Sequence, residues 1–239
     1  MVAEGLGTGL LVAVVVGSGI AAARLSPGDV GLQLLENAFA TGLGLAVLIV
    51  MLGPVSGAHF NPVVSAVDWW LGRRTGDGLA PQELVAYVAA QIVGGVAGAV
   101  LANLMYGGRA VSWSTTDRSA GHLYLGEVVA TAGLVLLIFA LAASGRARLA
   151  PVSVGAYIGS AYWFTSSTSF ANPAVTVGRA FSDTFAGIAP HSVPGFVAFQ
   201  IIGAIVGIGL LALLYPGAGR AAGNVTTPHT ETTTAGASS

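Results

Sequence analysis

The chain has 239 residues, 54% of them hydrophobic, and nine basic side chains against ten acidic ones leave a net charge of −1. A water-soluble surface needs about a quarter of its residues charged, so a soluble globular domain is excluded and lipid is the expected solvent. Near neutrality without a basic run offers nothing to nucleic acid, and the absence of cysteine rules out disulfides and thiolate metal sites.

Long apolar runs, each able to cross roughly 30 Å of hydrocarbon, predict spans at 4–24, 32–53, 82–106, 122–144, 150–168 and 194–215. The opening MVAEGLGTG lacks a basic stretch and continues into a full span, so the first span is read as retained rather than as a cleaved signal. After the second span, residues 61–70 are too short to cross and too apolar for an aqueous loop, and they begin with Asn61-Pro62. The third span carries Gly94, Gly95 and Gly98, small residues that let membrane helices approach closely. After the fifth span the pattern returns, with Asn172-Pro173 opening an apolar segment at 172–181. Trp69, Trp70, Trp113 and Trp163 read as interfacial or packing residues. Beyond Arg220 a Thr-, Ser- and Ala-rich tail has almost nothing apolar to bury, which divides the chain into one domain at 1–220 and a disordered tail at 221–239. Arg73, Arg74, Arg146, Arg148 and Arg220 fall on one side of the six-span arrangement against Arg24, Arg109, Arg118 and Arg179 on the other, which places both termini inside.

The two halves, 4–106 and 122–215, resemble each other. Glu4 and Thr8 open the first as Glu127 and Thr131 open the second, and HFNPVVS at 59–65 matches FANPAVT at 170–176. Three spans per half turn the second copy over in the membrane, an inverted repeat with its site where broken helices meet. A ten-residue helix rises about 15 Å, so one from each face would meet its twin near the midplane and complete a seventh, divided crossing. Asn accepts from free backbone N–H groups as a cap, and Pro at the first helical position sacrifices no hydrogen bond. A single Asn-Pro is an ordinary turn signal, whereas two in register within an inverted repeat mark paired half-helices.

These features, AHFNPVVS and SFANPAVTVGRAF with Glu-x-x-x-Thr opening each half, resemble the signature of the aquaporin and aquaglyceroporin family. The resemblance implies an all-α membrane protein of six transmembrane helices and two re-entrant half-helices, with one pore per subunit, usually as a homotetramer. Its pore signature falls on Asn61, Pro62, Val63, Asn172, Pro173 and Ala174. Val63 stands where alanine is commoner, and is expected to pack between the half-helix tips and alter the pore centre slightly. The asparagine amides would donate to a passing solute oxygen, and two helix N-termini at one low-dielectric point would repel cations. Backbone carbonyls at 57–59 and 167–171 would form an accepting ladder, because irregular backbone is tolerated at depth only where it lines a cavity. The resemblance puts His59 in the pore vestibule, where the residue alone reads equally as a locally bonded loop histidine. It also assigns Glu4 and Glu127 a structural role, accepting from N–H groups of the re-entrant loops rather than relaying protons.

The outer filter departs from the family. Typical members have Arg after the second Asn-Pro-Ala, where this chain has Val175. Transfer by spacing gives Thr41, Ser160 and Ser169 as the other filter positions, a wider and uncharged constriction. Arg179, one turn beyond Val175, either supplies a charge at the outer mouth or is an interfacial residue pairing with Asp183.

The expected function is passive passage of small uncharged solutes, namely glycerol-like polyols and arsenous acid or related metalloid hydroxides, together with water. The region of Val175 is similar to aquaglyceroporins associated with arsenic resistance in bacteria. A water-selective channel and an ion-coupled transporter are the alternatives. No enzyme motif, cofactor or metal site is expected, and the bacterial inner membrane is the expected location.

Overall fold

The computed structural model describes residues 1–73 and 77–216; Arg74, Arg220 and the 221–239 tail lie outside the described residues. All regular structure among the described residues is helical. Helices α1 (Val2–Leu25), α2 (Val30–Ser56), α4 (Pro81–Met105), α5 (Gly121–Ala143) and α8 (Val193–Leu214) are long and apolar enough to cross a membrane. Between them lie the short helices α3 (Pro62–Gly72) and α7 (Pro173–Arg179), each opened by its Asn-Pro. The remaining helix, α6 (Ala150–Phe164), has 15 residues, a rise of about 22 Å that falls short of the hydrocarbon thickness. A one-turn 3-10 helix at Ala147–Leu149 extends it at one end. At the other, the expected continuation to residue 168 gives way to non-helical backbone that turns back toward α7.

Local chemistry sets the boundaries. Asp29 caps α2 through a 2.9 Å bond from Leu32 N, and Gly57 ends it at a φ of 81°, a left-handed turn that glycine adopts without strain. Pro81 starts α4, where Glu83 accepts from Ala80 N at 2.8 Å.

The repeat is visible in the packing. Helix α1 lies along α4 as α5 lies along α8, and the halves join where α2 meets α6. Each half-helix also crosses over, α7 against α4 and α3 against α8, and the two touch each other. Gly94 and Gly98 of α4 sit against α1 so tightly that a Cβ at Gly98 would lie 2.0 Å from the Gly9 carbonyl oxygen. Gly95 faces α7, where a Cβ would lie 2.7 Å from the Ala174 carbonyl oxygen.

Polar groups are inside and apolar ones outside, the reverse of a soluble fold. Glu4, Gln91, Glu127 and Gln200 are fully buried, whereas Phe39, Val47, Val93, Ile205 and Leu213 are exposed. Such an outer face fits lipid and an interior of this kind fits a polar path. Trp70, Trp113 and Trp163 are exposed as well.

At the end away from the α5–α6 connection, two loops form a platform. Ser112 N and Ser114 N donate to the carbonyls of Phe181 and Ala180, Thr115 N donates to Asp183, and Arg118 Nε donates to the Gly187 carbonyl.

Candidate functional site

Both approaches to the Asn-Pro pairs are forced into unusual backbone. Ala58 and Phe60 in the first, and Thr168, Ser169 and Ala171 in the second, have φ between 48° and 60°. Non-glycine residues persist there only when their surroundings hold them. The holders are buried carboxyl groups. Glu4 accepts from His59 N (3.1 Å), Phe60 N (2.7 Å), Ser56 Oγ (2.7 Å) and Gln91 Nε2 (2.7 Å). Glu127 accepts from Phe170 N (2.9 Å), Ala171 N (2.9 Å) and Gln200 Nε2 (2.6 Å). A carboxyl group is suited to this because it offers several acceptor sites to a loop with no ladder partner for its own N–H groups.

Gln91 and Gln200 were not among the residues singled out from the sequence. Each also donates to the first turn of its half-helix, Gln91 to Ser65 Oγ at 3.0 Å and Gln200 to Thr176 Oγ1 at 2.9 Å. The available signal was a long amide in an otherwise apolar span of each half.

The structure brings Asn61 and Asn172 together. Asn61 Oδ1 accepts from Val63 N at 3.0 Å, and Asn172 Oδ1 accepts from Ala174 N at 2.9 Å and Val175 N at 3.2 Å. Asn61 Nδ2 donates to the Ala171 carbonyl and Asn172 Nδ2 donates to the Phe60 carbonyl, both at 2.8 Å. Each amide therefore caps its own helix, spends one N–H on the opposite repeat, and keeps one N–H for a visitor. Pro62 and Pro173 occupy the first helical positions.

Both asparagines line a cavity of about 720 Å³ that runs from Arg148 beside the α5–α6 connection to Arg179 beneath the platform. Thr41, Ser169 and Val175 line it, together with His59, Phe60 and Phe170. Ser160 does not. It is exposed, its hydroxyl donates to the Tyr157 carbonyl at 2.8 Å, and Ile158 and Tyr162 face the cavity in its place. Two residues along a helix turn a side chain by about 200°, so that small slip in transferred spacing reverses the face. Tyr162 Oη donates to Thr41 Oγ1 at 3.3 Å and fixes that wall.

Val63 is likewise outside the cavity wall. It is buried with Val67, Val135, Phe139, Ala204 and Leu211, so the extra methyls relative to alanine are absorbed against α5 and α8 rather than at the pore centre. Ala174 packs beside Gly95 of α4.

His59 Nδ1 lies 3.1 Å from Ser65 Oγ, while its buried Nε2 has no partner. Arg179 is 2% exposed, donates from Nε to the Ala186 carbonyl, and holds its guanidinium 3.4 Å from the centre of the Phe170 ring. The expected partner Asp183 is instead bonded to Thr115, through N at 2.9 Å and Oγ1 at 3.0 Å. Pairing four residues apart requires a continuous helix, and α7 ends at Arg179.

The platform carries its own charged cluster. Exposed Asp117 is held down to about 2, first by hydrogen bonds from the Ser119 side chain and backbone and then by Ser192 and His191. Desolvation of its guanidinium lowers Arg118 from the ordinary arginine range.

The family pattern described as major intrinsic protein matches residues 1–169, a stretch that ends just before the second signature. The chain is 48% identical over 213 residues to the aquaglyceroporin AqpS of Rhizobium meliloti (strain 1021), covering 89% of this chain and 88% of that protein. It is 31% identical over 247 residues to a glycerol uptake facilitator protein of Pseudomonas aeruginosa, covering 87% and 85%. In fold it is similar to the X-ray structure of the aquaglyceroporin from Plasmodium falciparum, with a TM-score of 0.65 and 17% identity over 90% of this chain and 96% of that one. With a family pattern over most of its length and paired half-helices at its centre, the chain belongs to the major intrinsic protein family, whose members are membrane channels and not enzymes.

Proposed function

We propose that this channel passes small uncharged solutes passively, with glycerol-like polyols and undissociated acids such as arsenous acid accompanying water. The observation that carries the reading is the pair of asparagine amides, each with one N–H left, on a cavity whose described lining residues include no carboxyl group. An ion-coupled mechanism needs an ionisable group at that midpoint, and the signatures present asparagine. The half-helix N-termini add positive potential there, which orients a neutral dipole and opposes a cation.

The solute range follows from the outer wall. Val175 contributes an apolar side chain where a family arginine would narrow the path, while Thr41 and Ser169 supply short hydroxyls, so molecules larger than water fit. The names of the Rhizobium and Pseudomonas relatives support a polyol-sized solute. With no cysteine in the chain, trivalent arsenic meets no thiolate on its way. His59 Nε2 serves as a further solute contact on the approach to the midpoint. The channel acts as a homotetramer in the bacterial inner membrane, with both termini cytoplasmic.

The test is uptake of water, glycerol and arsenite by vesicles containing wild type or Val175→Arg. The wild type is expected to pass all three and the arginine variant to lose the bulkier solutes first. Water permeability without glycerol or arsenite would make it a water-selective channel instead, and flux that saturates and follows a proton gradient would overturn passive passage.

A further inference from the structure

Buried polar atoms without partners are rare in folded proteins and each calls for a cause. Among the described residues, those on His59, Ser169 and Arg179 line the cavity; Ser169 adjoins Phe170 in the chain, and Arg179 lies over the Phe170 ring. Ser169 Oγ and Arg179 Nη1 are both buried with nothing to bond. A guanidinium in that condition is costly unless something else holds it there. The Phe170 face and the Ala186 carbonyl hold it, a cation–π contact and a charge-assisted hydrogen bond that leave its charge uncancelled. No carboxylate forms an ion pair with it among the described residues. Asp183 is occupied by Thr115, Glu127 by Phe170 N, Ala171 N and Gln200, and the one ion pair among the described residues joins His191 to Asp117 on the surface.

We propose that Arg179, one helical turn beyond the apolar Val175, is the specificity-determining cation of the outer constriction: it bars cations from the path and, with the Ser169 hydroxyl, donates to the oxygen of an uncharged solute. This rests on the channel reading and extends it, since the charge missing after the second Asn-Pro-Ala is supplied from a position the family signature does not assign. A guanidinium set over Phe170 and tied back to the Ala186 carbonyl lies away from the Val175 position and leaves that wall apolar. The solute class that follows is neutral and oxygen-bearing, with nitrogen-only cations excluded even where they are small enough to enter.

The experiment compares glycerol with guanidinium, a permanent cation smaller than glycerol, so that size does not exclude it. Wild type, Arg179→Leu, Arg179→Lys and Arg179→Gln are reconstituted in vesicles, and the guanidinium-to-glycerol permeability ratio is read for each. The Leu and Gln variants are expected to raise the ratio about tenfold or more, the least that loss of a unit charge at a low-dielectric constriction should give. Lys, which keeps the charge, is expected to stay near the wild-type ratio. If Arg179→Leu does not yield folded protein, the Gln and Lys variants decide the matter in the same way. A neutral variant that passes glycerol with the wild-type ratio overturns the assignment and leaves the channel reading intact; a wild type that passes no glycerol overturns that reading, and this assignment with it.

Discussion

At the middle of the molecule the two halves use one device twice. Glu4 with Gln91 holds residues 59–60, Glu127 with Gln200 holds residues 170–171, and each asparagine reaches the carbonyl presented by the other half. At the two ends the likeness stops. The first half leads to the cavity through His59, near Ser65 and Tyr87, and the second through Ser169, Phe170 and Arg179 beneath the platform. The difference separates two jobs. The midpoint must be symmetric for two half-helices to meet on one path, whereas the ends are free to diverge, and there the proposed function puts solute choice.

The largest test of that division removes a holder. Glu4→Ala and Glu127→Ala each leave buried N–H groups unpaired, at about 3 kcal/mol or more. Glu4 serves four donors and Glu127 three, so thermal unfolding in detergent should show the Glu4 variant less stable by about 1 kcal/mol. Equal losses would mean the Ser56 bond contributes nothing. Next comes helix contact. Gly98→Ala would push a Cβ to 2.0 Å from Gly9 O, against 2.8 Å from Ala132 O for Gly207→Ala, and overpacking of this kind costs about 1–3 kcal/mol. The first half should suffer more in the same unfolding measurement, and the reverse order would break the idea that α1–α4 is the tighter pair.

A smaller effect separates the caps. Asn172 accepts from two backbone N–H groups and Asn61 from one, so Asn172→Ala should cost about 2 kcal/mol and Asn61→Ala about 1, with glycerol flux falling in both. Smallest is the platform's dependence on pH. The Asp117 carboxyl sits at about 2 in the folded chain, below its ordinary value near 4. Its contribution is therefore complete above about pH 4 and is lost as pH falls toward 2. Asp117→Asn should flatten stability over that window and, near neutrality, leave the chain slightly less stable than wild type.

The sequence was most legible where one physical demand governs a long stretch. Apolar runs gave the five long helices within a few residues and overran the short α6, and paired Asn-Pro gave both half-helices, because hydrocarbon thickness and helix capping act locally. The candidate site was legible as a cavity lining at Asn61, Asn172, Thr41, Ser169 and Val175. It was not legible at Ser160, where a two-residue phase error chose the outward face over Ile158 and Tyr162. Of the two readings of Arg179, the pairing with Asp183 failed because a periodic rule was carried past the end of α7; its partners, Ala186 and Phe170, come from a loop and from the residue before Ala171. Gln91 and Gln200 escaped because a lone amide in an apolar span has no period to betray it.

The reciprocal bonds between Asn172 and Phe60 and between Asn61 and Ala171 also set a timetable for biosynthesis. Phe60 waits for a donor that the ribosome adds 112 residues later, so the centre of the path is finished only after the second half has entered the membrane. A nascent chain released after α4 would carry an unlatched re-entrant segment, a ready target for quality control.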